Sequence, residues 1–501
     1  MKSFFILILI LQSSIAKSQD ANFVKGKLIS FKDKTPIPFA TLRIKNKNKG
    51  LISNIDGGFK IPDKYQINGD TLIISSIGFS TKEIPLASFK KNTINTVILK
   101  EKIEALNEVI IISSKKNRKR KKSAVEIIKL AIRNIGKNYP FSKFSYIGYY
   151  RDYQINKEKY YNLNEAIMEV FDPGFAVNDF KGTDVRIYKY NKNLNFPIDT
   201  LSNKPYNSEN KNKIIPNASL SSVGGNEFTI LRIHDAFRNY NTISYDFVNR
   251  FDQNFINDHT FTLLPNTYIN DVNLYTIKIR KTYNNFKVKG KIYISKADFK
   301  IYKMEYAVYN NKETSKFFDV KLEYQEFEDK MYPNYISFNN SFKVLQPPKF
   351  FLVDALLNNS NNPTLKFIFN NNLNIENRIK KNSFKIYYKN KRIKVNRIKV
   401  DKNEVVIFFD KEKVSDSDFA ELNKVTYKIK NIKDIFGNKF NERKYLNYKQ
   451  YREFFIQELK VNSYKPTDNL YMDKNKPIFY NQSIAPFNNL SNYWLNTPMK
   501  N

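Results

Sequence analysis

The chain has no cysteine, and its 501 residues include only two His, one Trp and 14 Gly. Without cysteine, neither disulfides, thiol chemistry nor a lipid-modified cysteine is available to it. Together with 18 Pro, this glycine content is too low for long disordered tracts. No apolar run approaches the roughly 20 residues that a transmembrane helix needs. A disulfide scaffold and a helical membrane protein are therefore excluded.

Sequence motifs for catalysis are also missing. His234 and His259 lie in no His-Glu-x-x-His pattern, and both a Gly-x-Ser-x-Gly elbow and a phosphate-binding glycine loop are absent. Glu165 and Glu169 would share one face of a helix, although residues 160–171 also have the pattern of a strand. We predict no catalytic, cofactor-binding or metal-binding residues, and therefore no enzyme.

One further pair of neighbours, His234 and Asp235, offers a base beside a carboxylate that could orient it. Adjacent residues on one element seldom face each other, so a surface or half-buried histidine with its hydrogen bonds satisfied is the alternative. A hydrolase of envelope polymers, with carboxylates that sequence order hides, also stays open as the alternative function.

Aromatic and basic residues are abundant instead. The 33 Tyr and 41 Phe favour β-structure, and a chain of this length with 41% hydrophobic residues can bury several cores. The net charge of +36 is typical of a polyanion binder. Lys, Asn, Ile, Tyr and Phe are enriched together, however, as an A/T-rich coding sequence would produce. Most of the lysine is therefore interpreted as solvated surface.

The first 18 residues have the pattern of a secretory signal peptide. One Lys precedes the apolar run Phe4 to Leu11, and small residues follow before Gln19. Eight apolar residues are too few to span a bilayer, so cleavage after Ser18 is predicted rather than anchoring.

Residues 22–100 predict a small β-sandwich. Alternating strands flank the turn Ser53-Asn54-Ile55-Asp56-Gly57-Gly58-Phe59, which predicts a tight hairpin, and Thr71 to Phe79 is an apolar run typical of a strand buried on both faces.

The spaced motifs Pro36-x-Pro38-Phe39-Ala40-Thr41, Asn54-x-Asp56-Gly57-x-Phe59 and Ser76-Ile77-Gly78-Phe79, after Gly26, resemble the carboxypeptidase regulatory-like domain. That family is an accessory module of Gram-negative envelope proteins, so the resemblance implies an envelope location and no peptidase activity. TonB-dependent receptors carry the same module ahead of many transmembrane strands. Only about 400 residues follow it here, and their strands are too short and too charged to face lipid.

Residues 101–122 combine a predicted strand, 106–112, with a basic linker. Seven of the eight residues 115–122 are cationic, so they must be exposed. Contact with an anionic envelope glycolipid is the functional alternative to a plain linker.

Residues 123–350 predict a helix packed on an antiparallel meander. Ser123 and Glu126 form a capping box, apolar residues recur at helical spacing, and Gly136 is expected to end the helix. Alternating runs of 6 to 9 residues follow from Tyr245 to Lys343. This pattern is similar to the curved sheets of periplasmic lipoprotein carriers. Its aromatic residues are candidates for a binding surface or, alternatively, for the core: Tyr275, Tyr293, Tyr302, Tyr306 and Tyr309.

Residues 358–448 predict a second β-sandwich, whose turn at Asp434 to Asn438 resembles bacterial Ig-like domains. Residues 449–501 are expected to be a tail that packs on the central domain, with Trp494 on the meander. The fold class is thus a mainly β, multidomain protein with an N-terminal β-sandwich, a central antiparallel meander with a packed helix, and a C-terminal Ig-like β-sandwich.

From these features we predict a non-enzymatic exported protein of the periplasm or outer membrane. It would be a binding or scaffold module for an envelope protein, glycan or lipid; a periplasmic lipid or lipoprotein carrier is a further alternative. No cofactor, nucleic acid or transmembrane segment is expected.

Overall fold

A computed structural model describes residues 23–47, 49–102, 121–203, 213–214, 226–243, 250–283, 285–358, 363–376, 379–409 and 425–499. The chain forms two compact units, Met1–Phe342 with Tyr448–Asn501, and Lys343–Asn447. The predicted signal peptide, the predicted strand 106–112 and residues 115–120 of the basic linker lie outside the described residues.

The first unit begins with the predicted β-sandwich. Its elements are β1 (Phe23–Ser30), β2 (Thr41–Ile44), β3 (Gly50–Ile52), β4 (Gly58–Pro62), α1 (Asp63–Ile67), β5 (Thr71–Ser75), β6 (Lys82–Pro85) and β7 (Ile94–Leu99). A short 3-10 turn, Leu86–Ser88, precedes β7. One sheet has the order β4-β1-β7 and the other β3-β2-β5-β6. Side chains such as Leu28, Leu42 and Phe59 alternate inward from both sheets and are buried between them.

Two glycines of the recognised motifs are needed where they stand. A Cβ on Gly26 would lie 2.1 Å from the Phe59 ring, and Gly57 has φ +74° with a would-be Cβ 2.4 Å from the Leu28 carbonyl oxygen. The predicted hairpin is wrong, however, because β3 and β4 belong to different sheets, so the Gly57 turn links the two layers. The strand predicted over Thr71 to Phe79 is shorter than expected, since β5 ends at Ser75. It is also not buried on both faces, because Thr71 and Ile73 are only half-buried.

The middle of the chain forms the helices and most strands of one large sheet. These are α2 (Ala124–Arg133), α3 (Ile135–Asn138), β8 (Phe144–Asn156), β9 (Lys159–Asp172), α4 (Asp179–Gly182), β10 (Asp184–Lys192), β11 (Lys213–Ile214), α5 (Glu227–Ile233), α6 (Asn254–Asp258), β12 (Thr260–Ile269), β13 (Val272–Tyr283), β14 (Phe286–Ser295), β15 (Ile301–Asn310), β16 (Lys316–Phe327) and β17 (Lys330–Leu345). Strands β12 to β17 pair in sequence order, which confirms the meander.

Helix α2 begins as predicted, with the capping box between Ser123 and Glu126 formed in both directions. It ends earlier than expected, at Asn134, whose side-chain amide donates to the Leu130 carbonyl at 2.9 Å. Gly136 lies inside the next short helix, α3, instead of ending α2. The buried stripe of α2, including Ile127 and Ile128, packs on the sheet as the helical spacing predicts.

The second unit is also a sandwich. Its strands are β18 (Leu352–Asn358), β19 (Thr364–Phe369), β20 (Phe384–Tyr388), β21 (Lys391–Ile393), β22 (Val395–Asp401), β23 (Glu404–Phe409) and β24 (Val425–Ile429), with a 3-10 turn at Lys381–Ser383. They form sheets of order β18-β19-β23-β22 and β21-β20-β24 around a core that includes Phe367, Phe369 and Ile407.

The chain then returns to the first unit through β25 (Tyr445–Val461), which inserts between β8 and β17. The complete sheet has the order β10-β9-β8-β25-β17-β16-β15-β14-β13-β12, with β11 paired to β17. We call the side covered by α2 and α5 the helix face, and the side against the N-terminal sandwich the sandwich face. Side chains alternate between them, so Tyr146 and Tyr150 face the helices while Tyr149 contributes to the sandwich-face cluster.

A buried ion pair joins three distant parts of the first unit on the sandwich face. Arg151 on β8 and Glu453 on β25 are direct cross-strand partners, with Nε donating to Oε2 at 2.6 Å. The Arg151 guanidinium also donates to Oδ1 of Asn54 in the N-terminal sandwich, at 2.6 Å, and to the carbonyl oxygen of Asn496 in the tail, at 3.2 Å. Tyr335 completes the site by donating to the second Glu453 oxygen at 2.8 Å.

The tail is the third partner, and it begins after β25, at residue 462, rather than at residue 449 as predicted. It also corrects the prediction for Trp494. Instead of packing on the meander, Trp494 enters the core of the N-terminal sandwich, where its ring lies 5.8 Å from that of Tyr65. Its indole N–H donates to the Lys60 carbonyl at 3.0 Å. A large amphipathic ring can thus be buried in this core while its N–H satisfies a backbone carbonyl.

Arg151→Met should destabilise the first unit by about 3 to 5 kcal/mol, because it leaves the Glu453 carboxylate buried without its cation. Arg151→Met with Glu453→Met should recover much of that loss, since no buried charge remains. Urea unfolding followed by Trp494 fluorescence measures both. Lys45→Met, which removes an exposed ion pair with Glu83, is the control and should cost less than about 1 kcal/mol. A single Arg151 variant as stable as this control would contradict the account.

Candidate functional site

A groove of about 940 Å³ lies on the outer side of the N-terminal sandwich. Its three walls are the sandwich sheet β4-β1-β7, the end of β10 with the loop that follows, and the tail. Lining residues include Phe23, Lys25, Lys60, Ile94, Lys189, Lys192, Leu194, Tyr493 and Thr497. We call this the lysine groove.

Strand register places the charges of the sandwich wall. Lys25 on β1 lies directly opposite Lys60 on β4 and, on its other side, opposite Ile94 on β7. Alternation points Val24 and Gly26 into the core, so Lys25 must face outward. Like charges directly opposite one another on neighbouring strands oppose folding. The pairing of Lys25 with Lys60 therefore does not itself stabilise the sheet.

The second wall is held by hydrogen bonds and one buried ring. The Asn193 amide N–H donates to the Leu163 carbonyl at 2.9 Å, and that of Phe196 to the Asn193 carbonyl at 3.2 Å. Phe196 packs with Tyr153 and Leu163 in a small core of its own. Leu194, between the two anchors, is thereby left 75% exposed at the rim of the groove.

Glu165 ties this wall to the tail from beneath. Its Oε1 accepts hydrogen bonds from the hydroxyls of Tyr149 and Thr497, both at 2.7 Å. Its Oε2 accepts the side-chain amides of Asn193 at 3.0 Å and Asn191 at 3.4 Å. Because the carboxylate is buried and saturated with donors, it acts as a positioning group rather than as part of the lining.

The electrostatic character of the groove follows from its lining. Four lysines, Lys25, Lys60, Lys189 and Lys192, line it, and no Asp or Glu is among the described lining residues. Ile94 is 56% exposed beside them. The groove thus presents cations, asparagine amides and exposed aliphatic side chains together.

Glu165 and Glu169, the two carboxylates considered from the sequence, lie on strand β9. The strand alternative for residues 160–171 is therefore confirmed. Glu165 and Glu169 both face the sandwich side of β9, but four residues of strand separate them by about 13 Å. Paired glycosidase carboxylates stand roughly 5 to 9.5 Å apart. Glu169 is instead engaged by the Ser145 hydroxyl at 2.7 Å and the Lys460 ammonium at 3.0 Å.

Both histidines are packed in the core. His234 stacks on Phe338 with ring centroids 3.8 Å apart, and burial together with the nearby Arg452 charge lowers its pKa to about 3. Asp235 points elsewhere, since its Oδ1 accepts the backbone N–H groups of Phe237 and Arg238. Burial lowers the pKa of His259 to about 4. The Asp235 carboxylate is therefore engaged by the Phe237 and Arg238 backbone and the Tyr324 hydroxyl.

The five candidate tyrosines were expected either on a binding surface or in the core, and they differ in burial. Tyr302 and Tyr306 are buried, while Tyr275, Tyr293 and Tyr309 are half-buried. Tyr306 donates to or accepts from the His259 ring at 2.8 Å. No broad aromatic surface results from these five side chains.

Sequence reasoning missed all four lysines of the groove. Lysine is frequent throughout the chain, and the pairing of Lys25 with Lys60 depends on the register of strands more than 30 residues apart. Within the described ranges, no group of three or more His, Asp and Glu side chains is arranged to hold a metal ion. Among the same residues, no helix is long and apolar enough to cross a bilayer.

The fold and the groove define a mainly β, multidomain protein in which a small sandwich is fixed on a large antiparallel sheet. Residues 24–111 match the family described as CarboxypepD_reg-like domain, so the N-terminal module is a carboxypeptidase regulatory-like domain. The Ig-like assignment of the second sandwich stays a prediction. No curated protein matches the chain.

Solved structures similar to part of the chain include three bacterial proteins. A LolA superfamily protein from Nitrosomonas europaea is 16% identical, covering 44% of this chain and 86% of its own, with a TM-score of 0.19. A DUF1329 family protein from Desulfovibrio piger is 8% identical, with coverages of 44% and 87% and a TM-score of 0.18. A domain described as a candidate outer membrane lipoprotein-sorting protein, from Vibrio parahaemolyticus, is 10% identical, with coverages of 44% and 86% and a TM-score of 0.19.

The buried carboxyl group of Asp152, on the helix face, should make the stability of the first unit depend on pH. Burial, reinforced by the Glu227 charge, raises the pKa of Asp152 to about 7. In the unfolded chain this pKa is near 3.9. Between about pH 4 and 7 the folded state therefore binds more protons than the unfolded state, and stability falls as the pH rises.

Asp152→Asn should remove this dependence while keeping the hydrogen bond that Asn164 donates at 3.0 Å. The free energy of unfolding of the wild type, minus that of the variant, should fall by up to about 1.4 kcal/mol per pH unit across the window. Using the difference cancels the titration of the two histidines. Parallel curves for the two proteins would show that Asp152 is already ionised at pH 4.

Proposed function

We propose that the protein is a non-enzymatic binding module of the cell envelope whose lysine groove holds a phosphorylated glycolipid. The observation that carries this proposal is that four lysines converge on the groove, Lys25 and Lys60 from one wall and Lys189 and Lys192 from another. No Asp or Glu is among the described residues that line it. Cations that converge in one concave site attract anionic groups from solution.

The three chemistries of the lining match the three parts of such a ligand. Lysine ammonium groups complement phosphate, and the amides of Asn191, Asn193 and Asn195 can bond sugar hydroxyls. Exposed Ile94 and Leu194 at the rim complement acyl chains. An acidic polypeptide would use the lysines and amides but would leave the aliphatic rim without a role.

The rigid attachment of the sandwich supports a binding role. Two walls of the groove, the sandwich and the tail, are fixed to each other and to the large sheet by Arg151, Glu453 and Asn54. A groove whose walls are preorganised loses less conformational entropy when a ligand binds. A second candidate, a carrier that buries acyl chains inside the sheet, is less well supported, because the described helix face is filled by its own core side chains.

The groove proposal predicts that Lys189→Glu with Lys192→Glu weakens binding of diphosphoryl lipid A in neutral detergent micelles by at least about tenfold. A lysine near an anionic lipid surface contributes about 1 kcal/mol. The matched control is Lys391→Glu with Lys399→Glu, which makes the same charge change at exposed strand positions of the second unit. Fluorescence titration against micelles with and without the glycolipid measures the affinities.

Equal loss in the control variant, or equal binding of dephosphorylated lipid A, would refute a phosphate site in the groove. If poly-glutamate binds and lipid A does not, the groove is a contact surface for an acidic polypeptide, and the glycolipid proposal is wrong.

Export is the second part of the proposal, and it rests on the signal-like segment Met1 to Ser18. Amino-terminal sequencing of the protein from the envelope fraction should give a chain beginning at Gln19. Recovery of the protein with Met1 intact from the cytosol would contradict this part and leave the groove proposal unaffected.

A further inference from the structure

The second unit carries an ordered turn that presents large apolar side chains to solvent. Residues Asp434 to Asn438 form it, and the buried Asp434 carboxylate accepts the backbone N–H groups of Phe436 at 3.0 Å and Asn438 at 2.7 Å. The side-chain amides of Asn438 and Asn371 donate to the other carboxylate oxygen at 2.8 and 2.9 Å. This turn is therefore held rigidly from within.

The exposed side chains of the turn are not needed for the core. Ile432, just before it, is buried and anchors the turn to the sandwich. Ile435 and Phe436 point away, with 53% and 73% of their surface exposed. An apolar pair presented by a fixed turn indicates an interaction surface, because the fold gains nothing from it.

A neighbouring loop adds a third exposed apolar side chain. The Ile435 N–H donates to the Asn372 carbonyl, and that of Asn374 to the Lys433 carbonyl, both at 2.9 Å. These bonds place the loop with Ile375, which is 69% exposed, beside the turn. We call Ile375, Ile435 and Phe436 the apolar tip.

Lysines surround the apolar tip. Lys433 and Lys439 flank it in sequence, and the carbonyls of Lys349 and Lys402 accept hydrogen bonds from the neighbouring loop at 3.2 and 2.8 Å. All four lysines are exposed. Carboxylates at this end of the sandwich include Asp434, which is turned inward, Glu442, which pairs with Lys439 at 3.3 Å, and exposed Glu376.

We propose that the apolar tip inserts into the interface of an anionic lipid bilayer, with the surrounding lysines at the level of the head groups. Apolar side chains bordered by lysine are the composition of segments that lie in a membrane interface. Lysine stems can lie along apolar surface while their ammonium groups stay in contact with lipid phosphates. Three exposed apolar side chains are too few for a stable protein interface, which buries roughly 800 Å² on each partner.

The membrane proposal is tested with the full chain and vesicles of phosphatidylglycerol and phosphatidylcholine. Phe436→Trp places a fluorophore at the tip, and Trp494, the natural tryptophan, is buried. On vesicles the emission of the new fluorophore should shift to shorter wavelength and be quenched by brominated acyl chains. Val353→Trp, at an exposed position of β18 in the same unit, should show neither change.

Sedimentation with the same vesicles measures the partition coefficient. Ile435→Ser with Phe436→Ser should lower it by about tenfold or more, whereas Val353→Ser with Leu356→Ser, a matched loss of exposed apolar side chains, should leave it unchanged. Binding should also weaken with salt and on pure phosphatidylcholine. Unchanged thermal unfolding of the variants shows that they remain folded.

Equal partition of the tip variant and the wild type would overturn the proposal, as would emission from the Phe436→Trp protein that brominated acyl chains do not quench. These vesicles contain no glycolipid, so they do not supply the ligand proposed for the lysine groove. The groove variant, Lys189→Glu with Lys192→Glu, separates binding at the groove from binding at the apolar tip. If Lys189→Glu with Lys192→Glu abolishes vesicle binding and the tip variant does not, the membrane surface is the groove and this proposal is wrong.

Discussion

The arrangement of the first unit depends on one buried cation, the guanidinium of Arg151. Moving it out of water would lower its pKa, but attraction to Glu453 outweighs burial and holds the pKa well above the usual range. A buried charge is tolerated only where partners satisfy it from several directions. Here the partners come from the N-terminal sandwich, β25 and the tail, so the cation is satisfied only when all three are in place. Its position therefore makes docking of the sandwich and ordering of the tail one cooperative event.

This dependence makes the N-terminal module more than an appended domain. The sandwich takes Trp494 from the tail into its core, and Asn496 bonds both the Lys60 N–H and the Ile52 carbonyl, at 3.1 Å each. A single asparagine side chain thus satisfies backbone groups of two different strands, as a neighbouring strand would. Because these contacts are about 440 residues apart in sequence, the module can reach its final packing only after the chain has passed through the second unit and returned.

Sequence patterns predict the local structure of this chain well and its distant pairing poorly. The capping box at Ser123, the alternating runs of the meander and the glycine turns of the recognised module each encode geometry within a few residues, and each is present in the structure. The hairpin at Gly57 is a wrong prediction because a turn fixes a change of direction but not which sheet receives the next strand. The insertion of β25 beside β8, the destination of Trp494 and the facing of Lys25 with Lys60 all depend on contacts that leave no local period in the sequence. The candidate site consists almost entirely of such contacts, so motif searches have nothing to detect.

The excess of lysine explains why composition alone could not locate a site. Some lysines of the first unit contact carboxylates: Lys300 contacts Asp298 and Glu326, and Lys287 pairs with Glu313. Such pairs cancel the local field that would attract an anion, whether the lysine is buried, as Lys300 is, or partly exposed, as Lys287 is. In the lysine groove the described lining supplies no carboxylate, and the nearby Glu165 is buried beneath the wall with its oxygens occupied by donors. A net charge of +36 is a property of the whole chain, whereas attraction for a phosphate depends on the few places where lysines outnumber carboxylates in the lining of one cavity. The groove is such a place, because four lysines are among its described lining residues while the Glu165 carboxylate is occupied within the wall.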